Sequence, residues 1–154
     1  MNSIELLISN NSLLILYTGL LGLLVGSFLN VVIVRLPVMM ERQWQKDCQA
    51  VLQIQQSKPD QNPFNLLTPR SHCPQCNHAI TVLENIPIIS YLALKGRCRK
   101  CACPIPIQYP LVEFLSALLS ILVVISYGVS VQSLMALVLI WCLIALAIID
   151  LKTS

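Results

Sequence analysis

Long apolar segments, in which charged residues are almost absent, flank a polar middle region of the chain. They are residues 12–34, 111–127 and 131–149, with lengths of 23, 17 and 19 residues. A helix needs about 20 predominantly apolar residues to cross the hydrocarbon core of a bilayer. The pattern therefore predicts an α-helical polytopic membrane protein with three transmembrane helices, the last two joined by an uncharged turn at 128–130.

The first apolar segment is preceded by residues 1–11, which contain no lysine or arginine, so a cleaved signal peptide is not expected. Within the segment, Gly22 and Gly26 form a Gly-xxx-Gly pair that lets another helix approach closely. Packing against a helix of the same chain is the favoured interpretation, and a dimer interface is the alternative. Arg35 and Pro37 are expected to end the span.

The middle of the chain, residues 35–110, contains nine of the ten lysine and arginine residues. A soluble helix with one apolar face is predicted for residues 38–58, and the proline-containing stretch 57–63 is predicted to be a linker. The net charge of +3 is too small to indicate a nucleic-acid partner, and no basic stripe with interleaved aromatic residues is present. The basic residues are better interpreted as a topology signal.

Two Cys-x-x-Cys pairs, separated by 21 residues, lie in this middle region. Their members are Cys73 with Cys76, and Cys98 with Cys101. Four thiolates on two tight turns suit a tetrahedral metal site. The sequences CPQCNHAI and CRKCACPI also align, so that His78 corresponds to Cys103 and each pair has a spare potential ligand. His72 is a weaker candidate, because four cysteines already fill a tetrahedral site. Two disulfides are the alternative, and the redox compartment decides between them.

The distribution of basic residues predicts the orientation in the membrane. The ends of the 35–110 segment carry Arg35, Arg42 and Lys46, and Lys95, Arg97, Arg99 and Lys100. Residues 1–11 and 128–130 carry none. The positive-inside rule therefore places the middle segment in the cytoplasm and the N-terminus in the periplasm. The reducing cytosol favours Zn²⁺ over disulfides, and three crossings also place Asp150 on the cytoplasmic side.

The residues around the two pairs give less definite predictions. The stretch between them is expected to form short strands or a helical turn over the metal site, and residues 104–110 are expected to be extended. Glu113 lies in the first turn of the second apolar segment, where the helix dipole favours an acid near interfacial water. Contact with a ligand or substrate at the membrane surface is the functional alternative for Glu113.

Five sequence blocks, in this order, resemble the bacterial prepilin peptidase family. They are GSFLNVVIVRLP at 26–37, SHCPQC at 71–76, NIPIISYL at 85–92, GRCRKC at 96–101 and PIPIQYPLVE at 104–113. The resemblance implies an inner-membrane enzyme that cleaves the leader peptide of type IV prepilins and pseudopilins. It also implies N-methylation of the new amino terminus, with S-adenosyl-L-methionine as the methyl donor. A catalytic aspartate is implied at Asp150, in AIIDLK, with a second in a downstream Gly-x-Gly-Asp motif.

Two carboxylates are needed because one takes a proton from water while its protonated neighbour polarises the scissile carbonyl. The sequence has no Gly-x-Gly-Asp, so it is expected to be the N-terminal part of a longer protein, with residues 150–154 beginning the peptidase region, and to be unable to cleave prepilins alone. No glycine-rich nucleotide loop places the methyl donor. The alternatives are a non-enzymatic membrane adaptor with a zinc domain and a disulfide-bonded extracytoplasmic module of inverted topology.

Overall fold

The computed structural model describes residues 11–52, 64–81 and 83–153. Its elements in chain order are α1 (Asn11–Val51), a 3₁₀-helix (Leu83–Asn85), α2 (Ile89–Ala93), α3 (Gln108–Tyr127) and α4 (Val131–Thr153). No strand forms within the described ranges, where extended backbone pairs only at two isolated antiparallel bridges. The predictions for residues 1–10 and for the linker at 57–63 lie outside the described residues.

Three of these helices, α1, α3 and α4, are long and apolar enough to cross a membrane. This confirms the prediction of three candidate membrane helices from the lengths of the apolar segments. The helices extend beyond those segments, because α3 already begins at Gln108 and α4 continues through Asp150 to Thr153. Helical hydrogen bonding continues where the apolar sequence stops, so apolar length locates a helix better than it locates the helix ends.

Helix α1 continues through Pro37 to Val51, so the helix itself does not end at Arg35 and Pro37, where the first span was expected to end. Residues 38–51 of the soluble helix predicted for 38–58 are instead the continuation of α1, and residues 53–58 of that prediction lie outside the described residues. A proline inside a helix removes one backbone hydrogen bond and costs about 3 kcal/mol. Contacts on both sides of the proline offset part of this cost, because the Phe64 ring lies 5.8 Å from the Arg35 guanidinium and 4.4 Å from that of Arg42.

The buried Arg35 side chain fixes the segment 64–70 against α1. Its guanidinium donates hydrogen bonds to the main-chain carbonyls of Asn65, at 2.8 Å, and Pro69. We expect Arg35→Lys to lower the free energy of unfolding by about 1–3 kcal/mol. The lysine ammonium cannot reproduce the planar guanidinium, whose two nitrogens donate to two separate carbonyls. Thermal unfolding in detergent measures this, with Lys46→Ala on the exposed part of α1 as the control. Equal midpoints for the two variants would contradict the role of Arg35.

Glycines of α1 allow the backbone of α3 to pack directly against it. A Cβ atom at Gly22 would lie 2.6 Å from Cα of Ala117, and one at Gly26 would lie 2.6 Å from Cα of Glu113. The Ser116 hydroxyl also donates a 2.7 Å hydrogen bond to the Gly22 carbonyl. The Gly-xxx-Gly pair therefore serves a contact within the chain, in agreement with the favoured interpretation.

Gly22→Ala is expected to destabilise the α1–α3 pair by about 1–3 kcal/mol, because the added methyl group meets backbone that must move as a unit. Gly19→Ala is the matched control, since its methyl group would meet only the flexible end of the Ile121 side chain, at 3.2 Å. Both variants gain the same helix propensity. Unfolding of the two variants in micelles should separate them, and an equal effect would show that close approach at Gly22 is unimportant.

Helix α4 completes the bundle by packing against both other long helices. Their shared buried cluster consists of Leu29, Ile33, Val112, Ile144 and Ala145. A chain of polar contacts accompanies it: the Trp141 indole donates to the Ser120 hydroxyl at 3.1 Å, and this hydroxyl donates to the Ser116 carbonyl at 2.7 Å. These contacts satisfy polar groups inside an otherwise apolar bundle.

Candidate functional site

The structure brings four thiols together between the end of α1 and the start of α3. They belong to Cys73, Cys76, Cys98 and Cys101, and all four sulfur atoms lie within 4.8 Å of one another. The sulfurs of Cys73 and Cys101 are 3.6 Å apart, and those of Cys76 and Cys98 are 3.9 Å apart. All seven cysteines are free thiols, so none of the four is in a disulfide.

The spacing of these sulfurs fits a tetrahedral metal ion. Zinc–sulfur bonds of about 2.3 Å in a tetrahedron place the sulfurs about 3.8 Å apart. The separations between Cys73 and Cys101, 3.6 Å, and between Cys76 and Cys98, 3.9 Å, agree with this value. The residues present therefore fit a Zn²⁺ ion held by four thiolates, and the identity of the metal remains a prediction.

The two Cys-x-x-Cys pairs lie in equivalent backbone turns, here called the first knuckle (71–80) and the second knuckle (96–105). In the first, the Cys73 amide donates to the His78 carbonyl, and the Asn77 amide donates back to the Cys73 carbonyl. The second repeats both bonds 25 residues later along the chain, with Cys98, Cys103 and Ala102 in the equivalent positions. The internal alignment seen in the sequence is therefore a structural repeat.

A bridge closes each knuckle, His72 with Ala79 in the first and Arg97 with Pro104 in the second. Equivalent residues also adopt the left-handed conformation, with φ of 53° at Asn77 and 56° at Ala102. Asparagine tolerates this conformation readily, whereas alanine adopts it at a cost of roughly 1–2 kcal/mol. The second knuckle therefore keeps the turn despite a less suitable residue.

Backbone amides in the turns stabilise thiolates at the first cysteine of each pair. The amides of Cys76 and Gln75 hydrogen-bond the sulfur of Cys73 and lower its pKa to about 6. The amides of Cys101 and Lys100 lower the pKa of Cys98 in the same way. A lowered thiol pKa favours metal binding near neutral pH, because the thiolate is the ligand.

The second cysteine of each pair has a raised pKa instead. A hydrogen bond from the backbone amide of His78 lowers the pKa of Cys76. Burial and the neighbouring thiols outweigh this hydrogen bond and raise the pKa to about 11. At Cys101 the amide of Cys103 lowers the pKa, and burial together with the thiols of Cys73 and Cys98 raises it above the ordinary value. Without a cation the cluster therefore holds a mixture of thiols and thiolates, and a cation would favour four thiolates.

The two spare candidates in the knuckles differ in their contacts. His78 Nε2 lies 3.5 Å from Glu84 Oε1, so this imidazole faces a carboxylate. The thiol of Cys103 instead lies 3.8 Å from that of Cys73. His72 lies outside the cluster, with its Nδ1 3.1 Å from the Arg70 carbonyl.

Glu84 holds the segment between the knuckles in place. Its carboxylate accepts hydrogen bonds from the Thr81 amide at 2.9 Å and the Thr81 hydroxyl at 3.0 Å. Both hydrogen bonds lower the pKa of Glu84, and the one from the Thr81 amide has the larger effect. The contact with His78 lowers the pKa further. The 3₁₀-helix and α2 follow, so the stretch between the cysteine pairs is helical where short strands were one alternative.

Glu113 connects α3 to this segment. Its side chain is buried, and Oε2 accepts a 2.7 Å hydrogen bond from the amide of Ile88, which has φ of 56° just before α2. The expectation that Glu113 reaches interfacial water is therefore wrong, and its observed role is to fix the chain entering α2. No local sequence signal predicts a contact between residues 25 positions apart.

Asp150 lies in the last turns of α4, and its side chain is exposed. It borders a shallow groove on the helix surface with Leu146, Ile149 and Thr153. The Thr153 hydroxyl donates hydrogen bonds to the main-chain carbonyls of Ile149, at 3.1 Å, and Asp150, at 3.3 Å. The Asp150 carboxylate is therefore presented at a helix end beside an apolar surface.

Comparison with known proteins gives consistent matches. Residues 20–127 match the family model described as the bacterial peptidase A24 N-terminal domain. The chain is 52% identical over 132 residues to the prepilin leader peptidase/N-methyltransferase of Aeromonas hydrophila. It is 47% identical over 150 residues to the protein of that name from Stutzerimonas stutzeri, and 42% identical over 136 residues to that from Legionella pneumophila.

These alignments cover 86%, 97% and 88% of the chain but 46%, 52% and 47% of the respective relatives. The chain thus spans about half the length of the curated relatives it matches. No solved structure matches it. The family model includes Gly22 and Gly26 of α1, both knuckles and all of α3. The chain therefore belongs to the bacterial prepilin peptidase family, and it contains the A24 N-terminal domain of that family.

Proposed function

We propose that this chain belongs to an inner-membrane enzyme that removes the leader peptide of type IV prepilins and pseudopilins and N-methylates the new N-terminal residue. The supporting observation is the 42–52% identity, over most of the chain, to relatives that carry both activities in their names. Since the chain spans half of those relatives, both activities are assigned to the whole protein. S-adenosyl-L-methionine is the proposed methyl donor, and no described residues are assigned to its binding.

The four-cysteine cluster is proposed to hold a structural Zn²⁺ ion. Four thiolate ligands would leave no coordination position for a water nucleophile. The sulfur separations of 3.6 Å between Cys73 and Cys101 and 3.9 Å between Cys76 and Cys98 support this proposal. The knuckles would thus fold a cytoplasmic domain, 35–110, and take no part in peptide hydrolysis.

Asp150 is proposed to be one of two catalytic carboxylates of an aspartic endopeptidase. One carboxylate accepts a proton from the attacking water, and a second, protonated carboxyl polarises the scissile carbonyl. The exposed position of Asp150 at the end of α4 supports a role at the membrane surface. No Gly-x-Gly-Asp occurs among the 154 residues, so the second catalytic aspartate is proposed to lie outside them.

The proposed orientation places both groups on the cytoplasmic side. The basic residues flank the 35–110 segment, and the turn at 128–130 carries no charge. The positive-inside rule then puts the knuckles in the cytoplasm and the N-terminus in the periplasm. With α1, α3 and α4 each crossing once, Asp150 also reaches the cytoplasmic face.

The test is expression of the full reading frame containing these residues, in a membrane that also carries a type IV prepilin. Mass spectrometry of the pilin should show loss of the leader peptide and gain of one methyl group on the new N-terminal residue. A pilin that keeps its leader and gains no methyl group would contradict the proposal. That result would favour a membrane adaptor whose zinc domain docks other proteins.

A further inference from the structure

Helix α2 is tied at both ends to the start of the long helix α3. Before α2, the amide of Ile88 donates to Glu113, which lies five residues after the first residue of α3, or about 7.5 Å along its axis. After α2, the Gly96 carbonyl accepts a 2.7 Å hydrogen bond from the amide of Ile105, three residues before α3. Since Glu113 belongs to the apolar segment of α3, α2 lies at the level where α3 would enter a bilayer.

The exposed side chains of α2 are apolar. Ile89 and Leu92 are 66% and 68% exposed, and their spacing of three residues puts them on one face of the helix. No residue of α2 is buried, so these side chains contribute to no core within the described structure. An exposed apolar face at this level suits the bilayer interface, where apolar side chains lie at the boundary of headgroups and acyl chains.

A block of positive charge follows α2 directly. Four basic side chains, all exposed, occur within six residues: Lys95, Arg97, Arg99 and Lys100. The chain has no aspartate or glutamate between Glu84 and Glu113. In the described part of the chain, the only ion pair of these four side chains joins Arg99 to Glu84, at 3.9 Å. The surface next to α2 is therefore positive.

The fold of a knuckle does not require the charges of Arg99 and Lys100. The two knuckles correspond at a separation of 25 positions, and Pro74 and Gln75 are the equivalent residues of the first knuckle. Both knuckles nevertheless form the same backbone turn. These two charges are therefore specific to the second knuckle, which is the one that leads into α3.

We propose that α2 and the basic residues after it form a membrane-contact surface that binds the phosphates of anionic phospholipids. This interface patch consists of Ile89, Leu92, Lys95, Arg97, Arg99 and Lys100. Its apolar pair lies at the acyl-chain boundary, and its cations face the headgroups of the same leaflet. Lipid suits the patch better than an acidic protein segment, because α2 lies where α3 enters the membrane. The patch requires α3 to span the bilayer and is independent of the peptidase and methyltransferase activities.

Spin-labelled lipids measure the contribution of the charges. The full-length protein is reconstituted in phosphatidylcholine with phosphatidylglycerol, and electron spin resonance gives the fraction of each labelled lipid held at the protein surface. A basic residue beside an anionic surface strengthens binding about fivefold. The variant that combines Lys95→Gln, Arg97→Gln, Arg99→Gln and Lys100→Gln should therefore reduce the preference for phosphatidylglycerol over phosphatidylcholine by about fivefold or more.

The matched control exchanges lysine and arginine at the same four positions, which keeps the charge, and it should keep the wild-type preference. The neutral variant is expected to fold, because Lys100→Gln introduces the residue type that Gln75 supplies in the first knuckle. Equal loss in the neutral variant and the charge-keeping control would overturn the role of the charges. An unchanged preference in the neutral variant would also overturn it, and would leave the positive surface to an acidic protein segment.

A photoreactive side chain tests the apolar contact. In the same bilayers, Leu92→p-benzoylphenylalanine should form lipid adducts on irradiation, detected by mass spectrometry. Val51→p-benzoylphenylalanine is the control, since Val51 is 82% exposed but lies about 24 Å along α1 from Arg35, at the far end of that helix. Lipid adducts at Val51 as frequent as those at Leu92, or none at Leu92, would overturn the placement of α2 in the interface.

Discussion

Asp150→Asn is expected to abolish detectable leader cleavage by the full-length protein, with its zinc content unchanged. Asparagine has nearly the same size as aspartate but cannot accept a proton from water. Loss of a general base lowers a rate by about 10²–10⁴-fold, and loss of one carboxylate of a pair also removes the charge that keeps its neighbour protonated. We expect α4 to fold normally in this variant, because the Asp150 side chain is exposed. The Thr153 hydroxyl donates hydrogen bonds to the main-chain carbonyls of Ile149 and Asp150, and the substitution leaves both carbonyls in place.

The measurement is the rate at which a prepilin is converted in membranes, with Asp47→Asn as the control. Asp47 is an exposed acid on α1 that the proposal assigns no chemistry. Methylation of a pilin that has already been cleaved should persist in Asp150→Asn, which separates the two activities. Wild-type cleavage by Asp150→Asn would show that this carboxylate is not catalytic.

Features governed by local sequence could be predicted. Apolar length predicted the three candidate membrane helices, because a span depends on consecutive residues. The repeated Cys-x-x-Cys turns were predictable for a similar reason. Each turn is closed by bonds between residues at most nine positions apart, such as that from the Ile80 amide to the Ser71 carbonyl.

Features that depend on distant contacts could not be predicted. The continuation of α1 through Pro37 accompanies contacts of Arg35 with carbonyls 30 and 34 residues later in the chain. The buried position of Glu113 depends on an amide 25 residues earlier. Proline and a lone carboxylate each have a usual position, a helix end or an interface, and tertiary contacts override that preference in both cases.

Loss of the proposed Zn²⁺ ion is expected to unfold the knuckles while the three long helices stay folded. Among residues 64–107 whose side chains are described, only Cys73 and Gly96 are buried. This segment therefore has no apolar core of its own, whereas α1, α3 and α4 share a buried cluster that includes Ile33 and Val112. A structural zinc ion contributes about 10–16 kcal/mol of apparent binding free energy, which is also folding free energy for so small a module.

Cys73→Ser, or treatment with a strong chelator, should therefore remove the metal and the protection of knuckle amides from hydrogen exchange. The amides that report this are those of Asn77, Ile80, Ala102 and Ile105, each of which is bonded within a knuckle. Cys48→Ser is the matched control, since it replaces an exposed thiol on α1. Amides of α3 should keep their protection in all samples, because their helix is held by the bundle. Unchanged protection of the four knuckle amides after metal loss would show that the turns fold without the ion, and the thiol cluster would then need a role other than structural.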